Sequence, residues 1–76
     1  MKQSNLNLRN WLVKEIVRVR QEENMTQAEL AERIGIQQSN VSRLERGHSN
    51  PSLDFIERVA KGLGRTVKIE FVKEDK

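Results

Sequence analysis

Apolar residues recur at steps of three and four near the start of the chain, which is the spacing of one face of an α-helix. This apolar stripe consists of Leu8, Leu12, Ile16 and Val19. Polar residues fill most of the positions between them, so the pattern predicts an amphipathic helix over residues 8–23. Asn24 follows it, and asparagine tolerates the left-handed backbone conformation in which many helices end.

A second, shorter helix is predicted between Thr26 and Gly35. Thr26 and Glu29 have the spacing of a capping box, in which each side chain accepts a hydrogen bond from the backbone N–H of the other residue. Met25 and Leu30 stand where an apolar staple across the first turn belongs. Gly35 ends the helix because glycine enters the left-handed conformation without a steric cost.

A third helix is predicted over residues 38–46, with Gly47 as its stop. Val41 and Leu44 form its inward side, and Ile36 is the apolar plug of the turn before it. The outward side is polar and carries Ser39, Ser42, Arg43 and Arg46, with Gln38 at the N-terminal tip. Two short helices joined by a tight turn, the second polar on its outer side, have the plan of a helix-turn-helix over residues 26–47.

A fourth helix and one strand complete the pattern. Ser52 is a suitable N-cap for a helix over residues 53–63, whose apolar positions are Leu53, Ile56, Val59 and Ala60. After Gly64 the period changes, and apolar Val67, Ile69 and Phe71 alternate with polar Thr66, Lys68 and Glu70. Alternation of this kind predicts a β-strand over residues 65–72.

A single strand leaves backbone N–H and C=O groups unpaired along both edges, so we expect it to pair with a strand of another molecule. The simplest source is the same segment of a second copy, lying antiparallel across a two-fold axis. Val13, Val17 and Phe55 fall outside the main helical stripes, and we expect a strand ribbon contributed by two subunits to cover them. The alternative is that these three are scattered surface apolar residues, which are common.

Length and charge limit the class of protein. With 76 residues the chain is long enough for one domain but too short to bury a large core, so residues 1–76 are treated as a single domain that gains from oligomerisation. It has no cysteine and no apolar run that predicts a leader or a membrane span, so we expect a cytoplasmic protein that does not contact a membrane. The formal net charge of +3 favours an anionic partner.

These residues, at these spacings, resemble the phage-repressor family of helix-turn-helix proteins, also called the Xre or Cro/repressor family. The resemblance is carried by Thr26-Gln27, Glu29-Leu30-Ala31, Ile34-Gly35-Ile36, Val41-Ser42, Leu44-Glu45, Gly47, Asn50-Pro51-Ser52-Leu53 and Leu63-Gly64. It implies an all-α, lambda-repressor-like bundle of four to five helices that binds double-stranded DNA. The C-terminal strand resembles that of the Hip-type antitoxin members, in which the terminal strands of two subunits pair.

The resemblance places residues 38–46 in the major groove of a DNA operator, where long side chains near the helix N-terminus meet base edges. A glutamine can bridge N6 and N7 of adenine, and an arginine can bridge O6 and N7 of guanine. The residues expected to read bases are Gln37, Gln38, Ser39, Asn40 and Arg43. A polar helix face that is simply solvated is the alternative.

Other polar residues are expected to hold the DNA backbone or the fold. The family uses a glutamine at the position of Gln27 to bind a phosphate, aided by the amide groups of the helix start. Further phosphate candidates are Ser42, Arg46 and Asn50. The resemblance also implies that Arg20 and Glu45 pair and brace the first helix against the third.

The sequence contains no set of residues to which we assign catalysis. His48 is the only histidine, and without cysteines it predicts no zinc site, so no catalytic residue, metal or cofactor is expected. We expect a transcriptional repressor that binds its operator as a homodimer, either as an antitoxin that regulates its own operon or as a phage or host regulator without a toxin. The alternative is an interaction protein that mainly sequesters a toxin partner through its C-terminal strand.

Overall fold

The structure is a computed structural model that describes residues 7–74. This part of the chain contains four helices, which are α1 (Leu8–Glu22), α2 (Gln27–Ile34), α3 (Gln38–Glu45) and α4 (Leu53–Gly62). Helices α1, α3 and α4 each end one residue before the predicted end, because the predicted last residue is in each case the C-cap. The helical part of the predicted fold is therefore confirmed.

Capping side chains set the helix starts. In the capping box of α2, Thr26 Oγ1 accepts a hydrogen bond from the Glu29 N–H at 3.0 Å, and Glu29 Oε1 accepts one from the Thr26 N–H at 2.8 Å. Ser52 Oγ caps α4 by accepting from the backbone N–H three residues on, at 3.1 Å. Asn7 Oδ1 caps α1 in the same way at 3.1 Å, a start signal that the apolar pattern alone does not reveal.

Left-handed residues end α1 and α2 where the sequence predicts them. Asn24 has a φ of 55° and Gly35 a φ of 75°. Beyond Gly35, the Ile36 N–H donates a hydrogen bond to the Ala31 carbonyl at 3.0 Å, which closes the turn between α2 and α3. Ile36 packs half-buried against the core, so this turn fixes the direction in which α3 leaves α2.

The core lies between α2, α3 and α4, with α1 packed across it. Its most deeply buried side chains are Leu30, Val41, Leu44 and Val59. Gly62 ends α4 so close to α2 that a Cβ there would overlap Ile34 Cγ2 and come within 3.1 Å of Leu30 Cδ1. This glycine therefore permits the close approach of α4 and α2.

The expectation that a strand ribbon of two subunits covers Val13 is wrong, because the helices of its own chain already bury it. For Val17 and Phe55 the expectation stays a prediction. Val13 is 8 % exposed, and Val17 and Phe55 are half-buried. Phe55 packs against the core cluster. Helix α1 contacts α3 as well as the rest of the core, so its buried side is wider than a single helical stripe.

Other large apolar side chains are exposed in their place. These are Leu8, Trp11, Leu53, Ile69, Phe71 and Val72. Leu8 and Leu53 belong to the predicted inward stripes, yet they are 76 % and 71 % exposed. Each is the first residue of its helix and extends past the edge of the core, which helical periodicity cannot indicate.

Residues 65–74 follow α4 without forming a helix, and no residue that the structure describes is in a strand. The Arg65 N–H donates to the Ala60 carbonyl at 2.8 Å, and Val67 packs half-buried against the core. Phe71 is fully exposed. An antiparallel pair of strands needs a second chain, so the strand over residues 65–72 and its pairing through Val67, Ile69 and Phe71 stay predictions. Within residues 7–74, no helix combines the length and apolar character that crossing a membrane requires.

Candidate nucleic-acid interface

Helix α3 presents a polar surface above a buried apolar side. Val41 and Leu44 are 0 % and 1 % exposed and hold the helix against the core. The exposed residues at its N-terminal end and outer side are Gln37, Gln38, Ser39, Asn40 and Arg43. All five residues predicted to read bases are therefore exposed to solvent.

The N-terminal end of α3 is not closed by a side-chain cap. Gln37 occupies the N-cap position with an extended backbone, φ −82° and ψ 149°, and its side chain makes no capping hydrogen bond. Arg43 Nη2 donates a hydrogen bond to Asn40 Oδ1 at 3.3 Å, one turn nearer the N-terminus. This contact draws the Arg43 guanidinium towards the N-terminal part of α3, and the sequence gives no signal for it beyond the spacing of three residues.

Arg20 and Glu45 form the ion pair that the family resemblance implies. Arg20 Nε lies 2.6 Å from Glu45 Oε2, and Arg20 Nη2 donates to Glu45 Oε1 at 2.9 Å. The third donor, Arg20 Nη1, binds the Met25 carbonyl at 2.7 Å. The two side chains are only 12 % and 7 % exposed. The hydrogen bonds that Arg20 donates to Glu45 raise the pKa of Arg20 against the opposing effect of burial, so the guanidinium stays charged.

Gln27 joins this ion pair from the start of α2. Its Nε2 donates a hydrogen bond to Glu45 Oε1 at 2.9 Å, and its side chain is half-buried. Arg20, Gln27 and Glu45 thus link α1, α2 and α3 in one network, which we call the Glu45 network. The sequence predicts Gln27 as a phosphate ligand, with a tolerated first-turn residue as the alternative. It gives no signal for this contact, because residues 18 positions apart meet only through the packing of the helices.

The remaining phosphate candidates lie at the C-terminal end of α3 and beyond it. Arg46 Nη1 donates a hydrogen bond to Ser42 Oγ at 3.2 Å, so these two side chains form a unit. Asn50 is exposed in the loop before α4. Their roles in binding phosphate stay predictions, as does that of Gln27.

The charge of α3 is one-sided at its surface. Glu45 is its only carboxylate, and Arg20 neutralises it below the surface. Among residues 7–74, neither Arg43 nor Arg46 lies within ion-pair distance of a carboxylate. The outer side of α3 therefore offers uncompensated positive charge, which suits a polyanion.

An exposed polar helix, held on its underside by a buried ion pair and by the helix before it, defines a DNA-binding helix-turn-helix protein. Residues 16–69 match the helix-turn-helix family, and the chain belongs to that family. The matched range runs from the middle of α1 to Ile69 and includes every residue of this interface and of the Glu45 network.

Similar proteins from bacteria and archaea are named as transcriptional regulators. An uncharacterized HTH-type transcriptional regulator of Haemophilus influenzae is 35 % identical over 63 residues, which are 83 % of this chain and 64 % of that protein. One of Methanothermobacter thermautotrophicus is 46 % identical over 46 residues, which are 60 % of this chain and 67 % of that protein. The chain thus spans about two thirds of the length of these relatives.

Solved structures of the same fold include a complex with operator DNA. A HipB complex with an O2 20mer superposes with a TM-score of 0.78 at 29 % identity, over 96 % of this chain and all of that one. The restriction-modification controller protein C.Esp1396I, a tetramer on its natural 35 base-pair operator, gives 0.71 at 27 % identity over 80 % and 82 %. A toxin–antitoxin module from Streptococcus pneumoniae gives 0.69 at 29 % identity over 87 % and 72 %.

Proposed function

We propose that this chain is a sequence-specific repressor that binds double-stranded DNA as a homodimer. The observation that carries the proposal is the exposed polar side of α3, which stands on an apolar side that is 0 % and 1 % exposed at Val41 and Leu44. A helix fixed in this way can enter the major groove without rearranging. The family match and the operator complex of a similar protein support it.

Two groups of residues divide the work on DNA in this proposal. Base edges are read by Gln37, Gln38, Ser39, Asn40 and Arg43, and the backbone is held by Gln27, Ser42, Arg46 and Asn50. Base contacts give discrimination between sequences, whereas phosphate contacts give register and an affinity that falls with salt. A dimer would present two copies of α3 to half-sites whose centres lie about 34–36 Å apart, one turn of DNA.

Selection of bound sites from random duplex DNA tests this proposal directly. We expect enrichment of a palindrome whose half-sites are about one helical turn apart, and fluorescence anisotropy on the selected site should show affinity that falls steeply with added salt. A scrambled duplex of the same composition is the control. Failure to enrich any site, together with no binding to duplexes at low ionic strength, would contradict the proposal.

An antitoxin that represses its own operon is the biological setting that the similar structures favour. One is a HipB complex, and another is a toxin–antitoxin module. In this setting the protein acts in the cytoplasm, where its operator lies. A regulator without a toxin is the second setting, and co-purification with the product of a neighbouring short reading frame would distinguish the two.

The competing function is sequestration of a toxin, with residues 65–72 reserved for the edge of a foreign sheet. Sedimentation of the isolated chain separates it from the repressor function. A segment reserved for another protein predicts a monomer, whereas a segment that pairs with itself predicts a dimer. A stable monomer that leaves operator DNA unbound would favour sequestration.

A further inference from the structure

A recess lies beside the outer side of α3, where the end of α3 meets the first turns of α1. Its volume is about 320 Å³, and its lining includes Asn10, Trp11 and Lys14 of α1 together with Arg46 and Gly47 at the end of α3. A Cβ added at Gly47 would lie 3.8 Å from Asn10 Oδ1, so the Asn10 side chain lies against the backbone that follows α3. We call this surface the α1–α3 recess.

The polar lining of the α1–α3 recess favours an anion. Lys14 and Arg46 are exposed, and neither lies within ion-pair distance of a carboxylate in the part of the chain that the structure describes. Of the described residues, Glu45 is the only carboxylate in the lining, and both of its oxygens already accept hydrogen bonds within the Glu45 network. Two cations and the Asn10 amide suit an anion with several acceptor oxygens, such as a phosphate.

The carboxylates of α1 do not compensate this positive charge. Helix α1 contains two, Glu15 and Glu22, and Arg18 binds both of them, at 2.8 Å and 2.7 Å. Lys14 is therefore left beside the end of α3 without an opposite charge on its own helix. The positive potential of the outer side of α3 thus continues onto α1, which widens the surface that attracts a polyanion.

The length of α3 brings this recess to the edge of the major groove. The eight residues of α3 span about 12 Å, and the major groove is about 12 Å wide. When the N-terminal end of α3 meets base edges, as proposed above, its C-terminal end therefore lies near a sugar–phosphate backbone. Arg46 ends α3 at that point, and Asn10 and Lys14 line the same recess.

We infer that the α1–α3 recess binds one phosphate of the DNA backbone in each half-site. Lys14 supplies a positive charge from α1, the Asn10 amide donates a hydrogen bond to a phosphate oxygen, and Arg46 approaches from the end of α3. This inference rests on the DNA-binding function proposed above and extends its contact surface to α1. Like other backbone contacts, this one sets the register and the affinity and carries no sequence information.

The salt dependence of DNA affinity counts contacts of this kind. Each phosphate that a protein neutralises adds about 0.9 to the slope of log affinity against log salt concentration. Fluorescence anisotropy on the selected operator should therefore show that Lys14→Gln flattens the slope by about 1.8, which is about 0.9 for each half-site of a dimer. Lys14→Arg keeps the charge and should keep the slope. The matched control is Lys61→Gln, which removes the same charge from α4 outside the recess and should leave the slope unchanged.

Asn10→Ala separates the hydrogen bond from the charge. It removes the amide without changing the net charge, so affinity should fall on every sequence while the salt slope stays the same. The expected fall is roughly twofold to tenfold for each half-site, the effect of one hydrogen bond. The cap of α1 is kept, because Asn7 Oδ1 accepts from the backbone N–H of residue 10. Thermal unfolding of the free chain should therefore be unchanged.

Neutral methylphosphonates in the selected operator locate the phosphate itself. Replacing one phosphate at a time removes its charge and leaves every base in place. At the phosphate that occupies the recess, the native chain should lose affinity, whereas Lys14→Gln should lose little more, because both changes remove the same contact. At the phosphate proposed for Gln27, the losses from the methylphosphonate and from Lys14→Gln should add.

The possible outcomes separate the recess from the DNA-binding function. Equal slopes for Lys14→Gln and Lys61→Gln, with a native chain that binds its operator, would overturn the recess and leave the DNA-binding function standing. Losses that add at every phosphate would mean that Lys14 acts through its general field and contacts no phosphate, which would also overturn the recess. A native chain that binds no duplex at low ionic strength would overturn the DNA-binding function itself, and the recess with it.

Discussion

The α3 side and the C-terminal side of this molecule differ in how completely one chain satisfies them. Beneath α3, the Glu45 network occupies both carboxylate oxygens with donors from Arg20 and Gln27. On the C-terminal side, by contrast, Trp11 and Phe71 are 58 % and 100 % exposed. Residues 65–74 there have no regular structure in the single chain.

The difference shows which part of a small DNA-binding protein must be rigid before it meets its ligands. A reading helix has to hold its side chains in place before DNA arrives, so its support is completed within the chain. A dimer surface is completed only by its partner, so its apolar residues stay exposed in one chain. Variants on the two sides should therefore change different measurements.

Glu45→Ala is expected to have the largest effect, because it leaves the Arg20 guanidinium without its carboxylate at 12 % exposure. Removing one partner of a buried ion pair costs about 3–5 kcal/mol, so urea denaturation should show a loss of that size in the free energy of unfolding. Glu15→Ala, which removes an exposed partner of Arg18, is the matched control and should have a much smaller effect.

The double variant Arg20→Met, Glu45→Leu sharpens this test. It replaces the buried charges with apolar volume and should regain much of the stability, because no unpaired charge remains. It should nevertheless bind DNA less tightly, since Gln27 loses the acceptor that orients it. Equal losses for Glu45→Ala and Glu15→Ala would show that the Glu45 network does not brace α3.

Phe71→Ala should act on the dimer and leave the single chain unaffected. The ring is fully exposed in one chain, so its loss costs the monomer nothing. Two rings, each half covered in the dimer, correspond to about 1.5–3 kcal/mol, which sedimentation equilibrium would record as a dissociation constant more than tenfold higher.

Val72→Ala is the neighbouring control for Phe71→Ala, since Val72 falls on the outer side of the predicted strand. It should weaken the dimer much less. Equal effects of the two substitutions would mean that residues 65–72 do not alternate as a strand. The α3 side would then remain as described, and only the C-terminal side would need another account.

Arg43→Ala tests the outer side of α3. It should lower the preference at one base position by about 1–3 kcal/mol and keep non-specific binding, measured by fluorescence anisotropy on operator variants. Arg43→Lys keeps the charge but loses the two-pronged hydrogen bond, so it should lose the same preference. If Arg43→Ala weakened all sequences equally, Arg43 would be a phosphate ligand.

Local chemistry made the helices and the exposed side of α3 predictable. Thr26, Gly35 and Ser52 act within three or four residues of themselves, so their roles follow from the sequence alone. The apolar pattern puts Val13 outside the buried stripe of α1, yet Val13 is buried. Its burial depends on the way α1 crosses α3, which the pattern does not show. The apolar pattern puts Leu53 on the buried stripe of α4, yet Leu53 is exposed, because helical periodicity does not tell where the core ends.

The contact between Gln27 and Glu45 was missed for the same reason. The contact joins residues far apart in the sequence, and each has a simpler interpretation. Gln27 can be a tolerated first-turn residue of α2, and Glu45 can be the partner of Arg20 alone. The strand predicted over residues 65–72 is a different case, because its pattern is clear in the sequence but the partner proposed for it lies in another chain. One polypeptide cannot show the pairing that the pattern predicts.

Gln27→Ala is expected to have the smallest effect and to connect the α3 side with the DNA backbone. It removes one hydrogen bond to Glu45, so the free energy of unfolding should fall by about 1 kcal/mol, while Arg20 still holds the carboxylate. Affinity for DNA should fall by a similar factor on every sequence, because a phosphate contact carries no sequence information. The proposed dimer should be unchanged, since Gln27 lies outside residues 65–72, the segment predicted to pair. A loss of affinity confined to one base position would instead make Gln27 a base-reading residue. A lower free energy of unfolding without any loss of DNA affinity would restrict Gln27 to supporting Glu45.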